Sequence, residues 1–232
     1  MPITNELLRR ARRKKRTAAA DILRTYYPAV CRVARGLCGE ERAARQVVQN
    51  VMARSLRAMR KWREETAPDR WYYHHTIGAC REHAVPAAEL REDLLVGPQH
   101  VNDAMYVAFV RTLRSLPFQQ REAILLHHGE RLSARQMGIA MDSSVDAAAA
   151  HLRQATQTLQ MMAGAQCPEL FSQLSAAHGA LTPPIDAVRI AVARHLRRYF
   201  WPRRLAKALR PVIVIVVVAV AAWWIWRKYI YH

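Results

Sequence analysis

The chain has 232 residues and carries 36 Lys and Arg against 18 Asp and Glu, a formal net charge of +18. So basic a balance favours polyanionic partners, nucleic acid or an anionic lipid surface. With so few, scattered acids, and no Gly-rich phosphate loop, nucleophile elbow or paired-carboxylate pattern, it speaks against an enzyme.

The N-terminus is dense in cations: Arg9, Arg10, Arg12, Arg13, Lys14, Lys15 and Arg16. Residues 1–20 read as a solvated basic arm, and no apolar segment follows that would suggest secretion. Residues 21–90 then read as one helical unit. Val30, Val33, Ala34 and Leu37 recur at helical spacing and stop near Gly39. Ala44, Val47, Val48 and Val51 repeat the pattern through Met52, Leu56 and Met59. A break at Thr66 to Asp69 precedes an aromatic helix from Trp71, and Pro86 ends the unit. Residues 91–104, with Gly97-Pro98, read as a linker.

A second helical unit spans 105–163. Tyr106, Phe109, Val110 and Leu113 share a face, and Leu116-Pro117 restarts the chain into a helix carrying Ile124 and Leu125. Ser133-x-x-Gln136 is a capping box that opens a short helix, and Ser143 or Ser144 opens a longer one. Two such helices across a tight polar turn have the layout of a helix-turn-helix. Residues 164–210 read as a linker with a basic amphipathic helix, Ile185, Val188, Val192, Leu196 and Tyr199 forming its apolar line.

The chain closes on the apolar run Val212 to Trp226, which reads as a transmembrane anchor over 211–228. Val212, Ile213, Val214, Ile215, Val216, Val217 and Val218 would face lipid, and Trp223, Trp224 and Trp226 would lie at the interface. Fifteen helical residues rise roughly 22 Å against a hydrocarbon core of ~30 Å, so Arg210 and Arg227 would have to snorkel. The arginine excess upstream predicts that the N-terminal units stay in the cytoplasm, at the bacterial inner membrane, with membrane lipid as a partner. The four cysteines have no paired CxxC spacing and fit reduced cytosolic thiols.

No metal and no cofactor is expected. His74-His75 and His127-His128 are adjacent pairs whose side chains point about 100° apart on a helix. His75, Cys80 and His83 could approach one another but lack a fourth ligand.

The order of parts resembles a sigma-70 superfamily RNA polymerase sigma factor of the extracytoplasmic-function type. The first stretch of likeness holds Tyr26-Tyr27-Pro28, Ala34-Arg35-Gly36-Leu37, Gly39, Ala44, Val47-Val48-Gln49-Asn50-Val51, Trp71 and Glu82. The second runs ungapped from Leu116 to Leu159 and holds Leu116-Pro117, Arg121-Glu122, Leu125-Leu126, Leu132-Ser133, Val145, Leu152, Arg153 and Ala155. The resemblance implies an all-α fold: a sigma region 2-like bundle and a region 4-like helix-turn-helix, here with the transmembrane helix added. It implies core RNA polymerase and promoter DNA as partners, and an anti-sigma factor as a regulator.

Residue by residue, it assigns polymerase docking to Arg45, Gln46, Gln49 and Asn50. Trp71, Tyr72, Tyr73, His74 and Arg81 would engage the opened −10 element, aromatic stacking contributing about 1–3 kcal/mol per base. Arg121, Arg135, His151, Arg153 and Gln154 would contact the −35 element. Two departures stand out. Arg45 and Gln46 occupy positions where the family carries an acidic pair, and alanines 147, 149 and 150 replace hydrogen-bonding readers on the recognition helix. They favour a second reading, a sigma-like regulatory protein at the membrane without promoter-specific activity. A third is a cationic lipid-surface protein.

Overall fold

The computed structural model describes residues 4–13, 15–62, 68–83 and 93–230, with side chains beyond Trp201 described only at 215, 218–224, 226 and 227. Among these residues every regular element is a helix. Of the expected break at Thr66 to Asp69, residues 66 and 67 lie outside the described residues, as does the stop at Pro86, whereas Pro68 and Asp69 already belong to a helix.

The basic N-terminus, read as a solvated arm, forms α1 (Asn5–Arg12). Thr4 caps it by accepting from the Leu7 N–H at 3.3 Å, and Leu8 and Ala11 are buried, so a short apolar face docks the cations to the core. In α2 (Arg16–Cys38) the helix ends where its periodicity does. Gly39 turns left-handed at φ 75° and its N–H closes on the Arg35 carbonyl. α3 (Glu41–Ala58) buries Ala44, Val47, Val48, Val51 and Met52 and gives its other face to solvent. α4 (Pro68–His83) packs on both, completing a three-helix unit.

Part of the expected linker is structured. It forms the short α5 (Gly97–His100), and Leu95 is fully buried beneath the Tyr106 hydroxyl, which donates to the Leu95 carbonyl at 3.1 Å. α6 (Ala104–Ser115) starts at Asp103, whose carboxylate accepts from the Tyr106 N–H at 2.9 Å. Arg114 in its last turn is buried. It donates to the Gly36 and Leu37 carbonyls at 2.7 and 3.0 Å and holds Asp93 at 2.6 and 2.8 Å. One guanidinium thus satisfies the free carbonyls at the end of α2 and pins the second unit to the first.

α7 (Phe118–Ile124) passes into a single π turn, Leu125–Gly129, and the chain then reverses through Arg131 at φ 56°. α8 (Ala134–Met141) opens with the capping box read from the sequence: the Ser133 hydroxyl accepts from the Gln136 N–H, and the Ser133 N–H donates to Gln136 Oε1 at 2.9 Å. Asp142, left-handed at φ 56°, makes the turn into α9 (Val145–Ala163), which Ser144 caps by accepting from the Ala147 N–H at 3.1 Å. Glycine fits closely at 138, where a Cβ would stand 3.0 Å from the Ser143 carbonyl oxygen. α10 (Cys167–Ala180) returns across α2 and the π turn, and α11 (Ile185–Ile230) lies along α2 and α3 through buried Val188, Val192 and Leu196.

The transmembrane assignment is corrected here. Among the described residues no helix is long and apolar enough to cross a membrane. The run Val212 to Trp226 is one segment of the 46-residue α11, bounded by Arg203, Arg204, Lys207 and Arg210 before it and Arg227-Lys228 after it. Lengthening the run in either direction brings in charge, and fifteen residues fall short of the ~30 Å core by about five. The anchor over 211–228, the inner-membrane localisation and the lipid partner that followed from it are withdrawn together. Of the residues expected to contact lipid, the side chains of Val212, Ile213, Val214, Val216 and Val217 lie outside those described. Ile215, Val218, Trp223, Trp224 and Trp226 are each more than half exposed.

Candidate nucleic-acid and partner interface

The residues assigned to polymerase docking form a continuous exposed ledge on α3: Arg45, Gln46, Gln49 and Asn50 all face solvent. They do so because Ala44, Val47, Val48 and Val51 take the inward positions of the same helix. Glu41 at its start is held twice by Arg35, at 3.0 and 3.1 Å, and reaches Arg45 Nη2 at 3.4 Å. With its one carboxylate so engaged, the ledge is cationic.

The aromatic residues of α4 are less open. Tyr72 is buried, stacked on Tyr26 with ring centroids 4.5 Å apart and edge-on to Trp71 and Trp62 at 5.2 and 6.1 Å. Burial pushes its hydroxyl well above the usual tyrosine range. Trp71 is half-buried, edge-on to Trp62 at 5.7 Å and against His75 at 4.1 Å, and His74 leans on His75 at 5.1 Å. Burial, followed by the nearby His74 and Arg54, lowers His75 to about 4, so this imidazole is neutral near pH 7. Cys80 is fully buried against Cys38. Among the described residues no three His, Cys, Asp or Glu side chains are grouped to hold a metal ion.

Tyr73 and Arg81 turn into the second unit. Arg81 grips Glu122 of α7 bidentately, at 2.7 Å to each carboxylate oxygen, and donates to the Met141 carbonyl at 3.1 Å. Glu122 is wholly buried; burial raises its pKa, and Arg81 works against that rise. Tyr73 donates from its hydroxyl to Glu130 at 2.9 Å.

Glu130 is the hub that sequence reading missed. Arg32 of α2 holds both its oxygens at 2.8 Å, Tyr73 adds the third bond, and His178 Nε2 of α10 lies 2.9 Å from Oε1. Burial alone would raise this carboxyl; the hydrogen bonds of His178 and Arg32, and their charges, hold it down to about 2. The π turn puts Glu130 there by adding a residue to the end of α7. His178 is buried between two glycines: a Cβ at Gly129 would stand 2.6 Å from its ring, and one at Gly36 2.9 Å. No short-range pattern marks these partners, although Gly36 lies in the Ala34-Arg35-Gly36-Leu37 stretch singled out in the sequence.

In the helix-turn-helix, Arg135, Arg153 and Gln154 are exposed and His151 is half-buried. Gln154 accepts from Gln120 Nε2 at 3.2 Å. Arg121 is not with them. It is buried over the Phe118 ring at 5.1 Å, and burial together with Arg114 lowers its pKa. The structure therefore brings Arg135, Arg153 and Gln154 to the surface of one unit and leaves Tyr73, Arg81 and Arg121 between the two.

Residues 22–85, covering α2, α3 and α4, match the family model described as Sigma-70 region 2. Among solved structures, that of CnrH in complex with the cytosolic domain of CnrY is similar, with a TM-score of 0.55. It covers 68% of this chain and 94% of CnrH at 18% identity, a likeness of fold. No curated protein matches the chain.

Proposed function

We propose that this chain is a sigma factor of the extracytoplasmic-function type, binding core RNA polymerase and promoter DNA to start transcription. The observation that carries the reading is the Sigma-70 region 2 match at 22–85, followed in order by a doubly capped helix-turn-helix over α8 and α9. In this reading the α3 ledge at Gln49 docks on polymerase, and Trp71, Tyr73, His74 and Arg81 meet the opened −10 strand once the two units part. Tyr72, inside the core, supports that surface from beneath. Arg135, His151, Arg153 and Gln154 contact −35 DNA, and Arg121 joins them only if its packing on Phe118 is released. An anti-sigma protein is a fitting regulator, since CnrH was solved with the cytosolic domain of CnrY.

A second reading is a sigma-like regulator without promoter-specific activity. It draws on α9, where Ala147, Ala149 and Ala150 can touch a thymine methyl but cannot hydrogen-bond a base edge. Titrating the labelled full chain with core polymerase separates the two readings. A complex weakened about tenfold by Gln49→Ala, and promoter-dependent RNA synthesis by that complex, select the first. Absence of any complex from folded protein overturns the first and favours the second.

A further inference from the structure

A groove of about 190 Å³ separates α3 from α11, and it combines an apolar floor with basic rims. Its floor is Tyr27, Cys31, Ala44 and Val48, with Ala191 on the far side. Its rims are cationic. Arg45 stands on the α3 side, and Arg194 and Arg198 stand on the α11 side with His195 between them. The one carboxylate in the lining, Glu41, is already engaged by Arg35 and Arg45. Arg194 and Arg198 are exposed and make no ion pair among the described residues. Both walls therefore present like charge across the cleft, and among the described lining residues no free carboxylate answers it.

The groove is not a loose feature of α11. Val188, Val192 and Leu196 seat that helix with little exposure, Arg35 Nη1 donates to the Leu181 carbonyl at 2.8 Å, and His195 meets the Tyr27 ring at 6.4 Å. An apolar floor with room for about one large side chain, ringed by guanidinium groups, suits a protein segment better than a phosphate backbone. Phosphates would use the rim and leave the floor empty.

We propose that the α3–α11 groove is a docking site for an acidic amphipathic helix of a partner protein, which inserts one large apolar residue over Val48 and sets carboxylates against Arg45, Arg194 and Arg198. This partner surface shares Arg45 and Gln49 with the ledge assigned to polymerase, but its chemistry is argued from the groove alone. It can stand or fall without the polymerase reading.

The test uses the full chain and a fluorescein-labelled helical peptide, with one central Leu flanked by Glu three and four residues to either side. Anisotropy should show saturable binding that weakens at least tenfold in Arg194→Glu/Arg198→Glu. It should also weaken at least threefold when the peptide Leu becomes Ser, and remain unchanged in the charge-matched control Arg111→Glu/Arg16→Glu. All four arginines are exposed, so circular dichroism should find every variant folded. Equal loss in the control pair would reduce the effect to net charge and overturn the site. So would the absence of binding, or a duplex oligonucleotide of the same net charge that competes fully for the groove. Polymerase is absent from the assay, so its outcome leaves the polymerase titration independent.

Discussion

The two helical units meet unequally. The α2–α4 unit contributes cations and a hydroxyl to their contact: Arg32, Arg81 and Tyr73. The α6–α9 unit and the segment joining α7 to α8 answer with carboxylates, Glu122 and Glu130, and send one cation the other way, Arg114 onto the carbonyls that end α2. Burial is unequal as well. The Glu122 and Glu130 side chains are 0% and 2% exposed, whereas Arg81 and Arg32 keep 39% and 24% of their surface. Long guanidinium stems reach from partly wet positions, and short carboxylates cannot. The contact is therefore specific when closed, and Arg32 and Arg81 can regain water cheaply when it opens. This suits a protein whose −10 residues are proposed to act only with the units apart.

The largest break in that asymmetry is Arg81→Ala. It strands a buried carboxylate at Glu122 and should lower the unfolding free energy by about 3 kcal/mol or more in urea denaturation. Glu122→Gln leaves an arginine that can reach solvent and should cost clearly less. Equal losses would mean that the contact is ordinary packing.

Acid should act next, through Glu130. Its carboxyl is held down from 4.5 to about 2, so its contribution is complete above about pH 4.5 and is lost as the pH falls through about 2. Linkage puts that loss on the order of 3 kcal/mol. A melting-temperature profile should fall across this window in the native chain and be flatter in Glu130→Gln.

Smaller again is Gly129→Ala, which would press a methyl into the His178 ring at 2.6 Å. A cost of about 1–3 kcal/mol is expected, with faster hydrogen exchange in α10 as the local sign. At the far end, Arg45→Ala should change stability by less than about 0.5 kcal/mol, because its pair with Glu41 is 66% and 41% exposed. A larger effect there would deny that the α3 ledge is kept for binding rather than folding.

Much of the local structure was legible. The apolar spacing of Val30 to Leu37 and of Ala44 to Val51 gave two helices, Gly39 gave the end of the first, and Ser133 with Gln136 gave a capping box that is present atom by atom. The exposed ledge at Arg45 and Gln49 followed from the same spacing. The apolar tail misled. All-round apolarity points to a membrane span, but the run is shorter than the membrane core, and no spanning helix is found among the described residues.

What the sequence determined, then, is whatever depends on neighbours within about a turn: which residues face inward along a helix, where helices begin and stop, and how basic the surface is. Tertiary structure alone decided that Tyr73 and Arg81 close on the second unit, that Arg121 is buried, and that Glu130 gathers Arg32, Tyr73 and His178. Those partners lie 98, 57 and 48 positions away. A charge pair at such separation leaves no periodic trace, because its energy depends on burial and distance set by the packing of other helices.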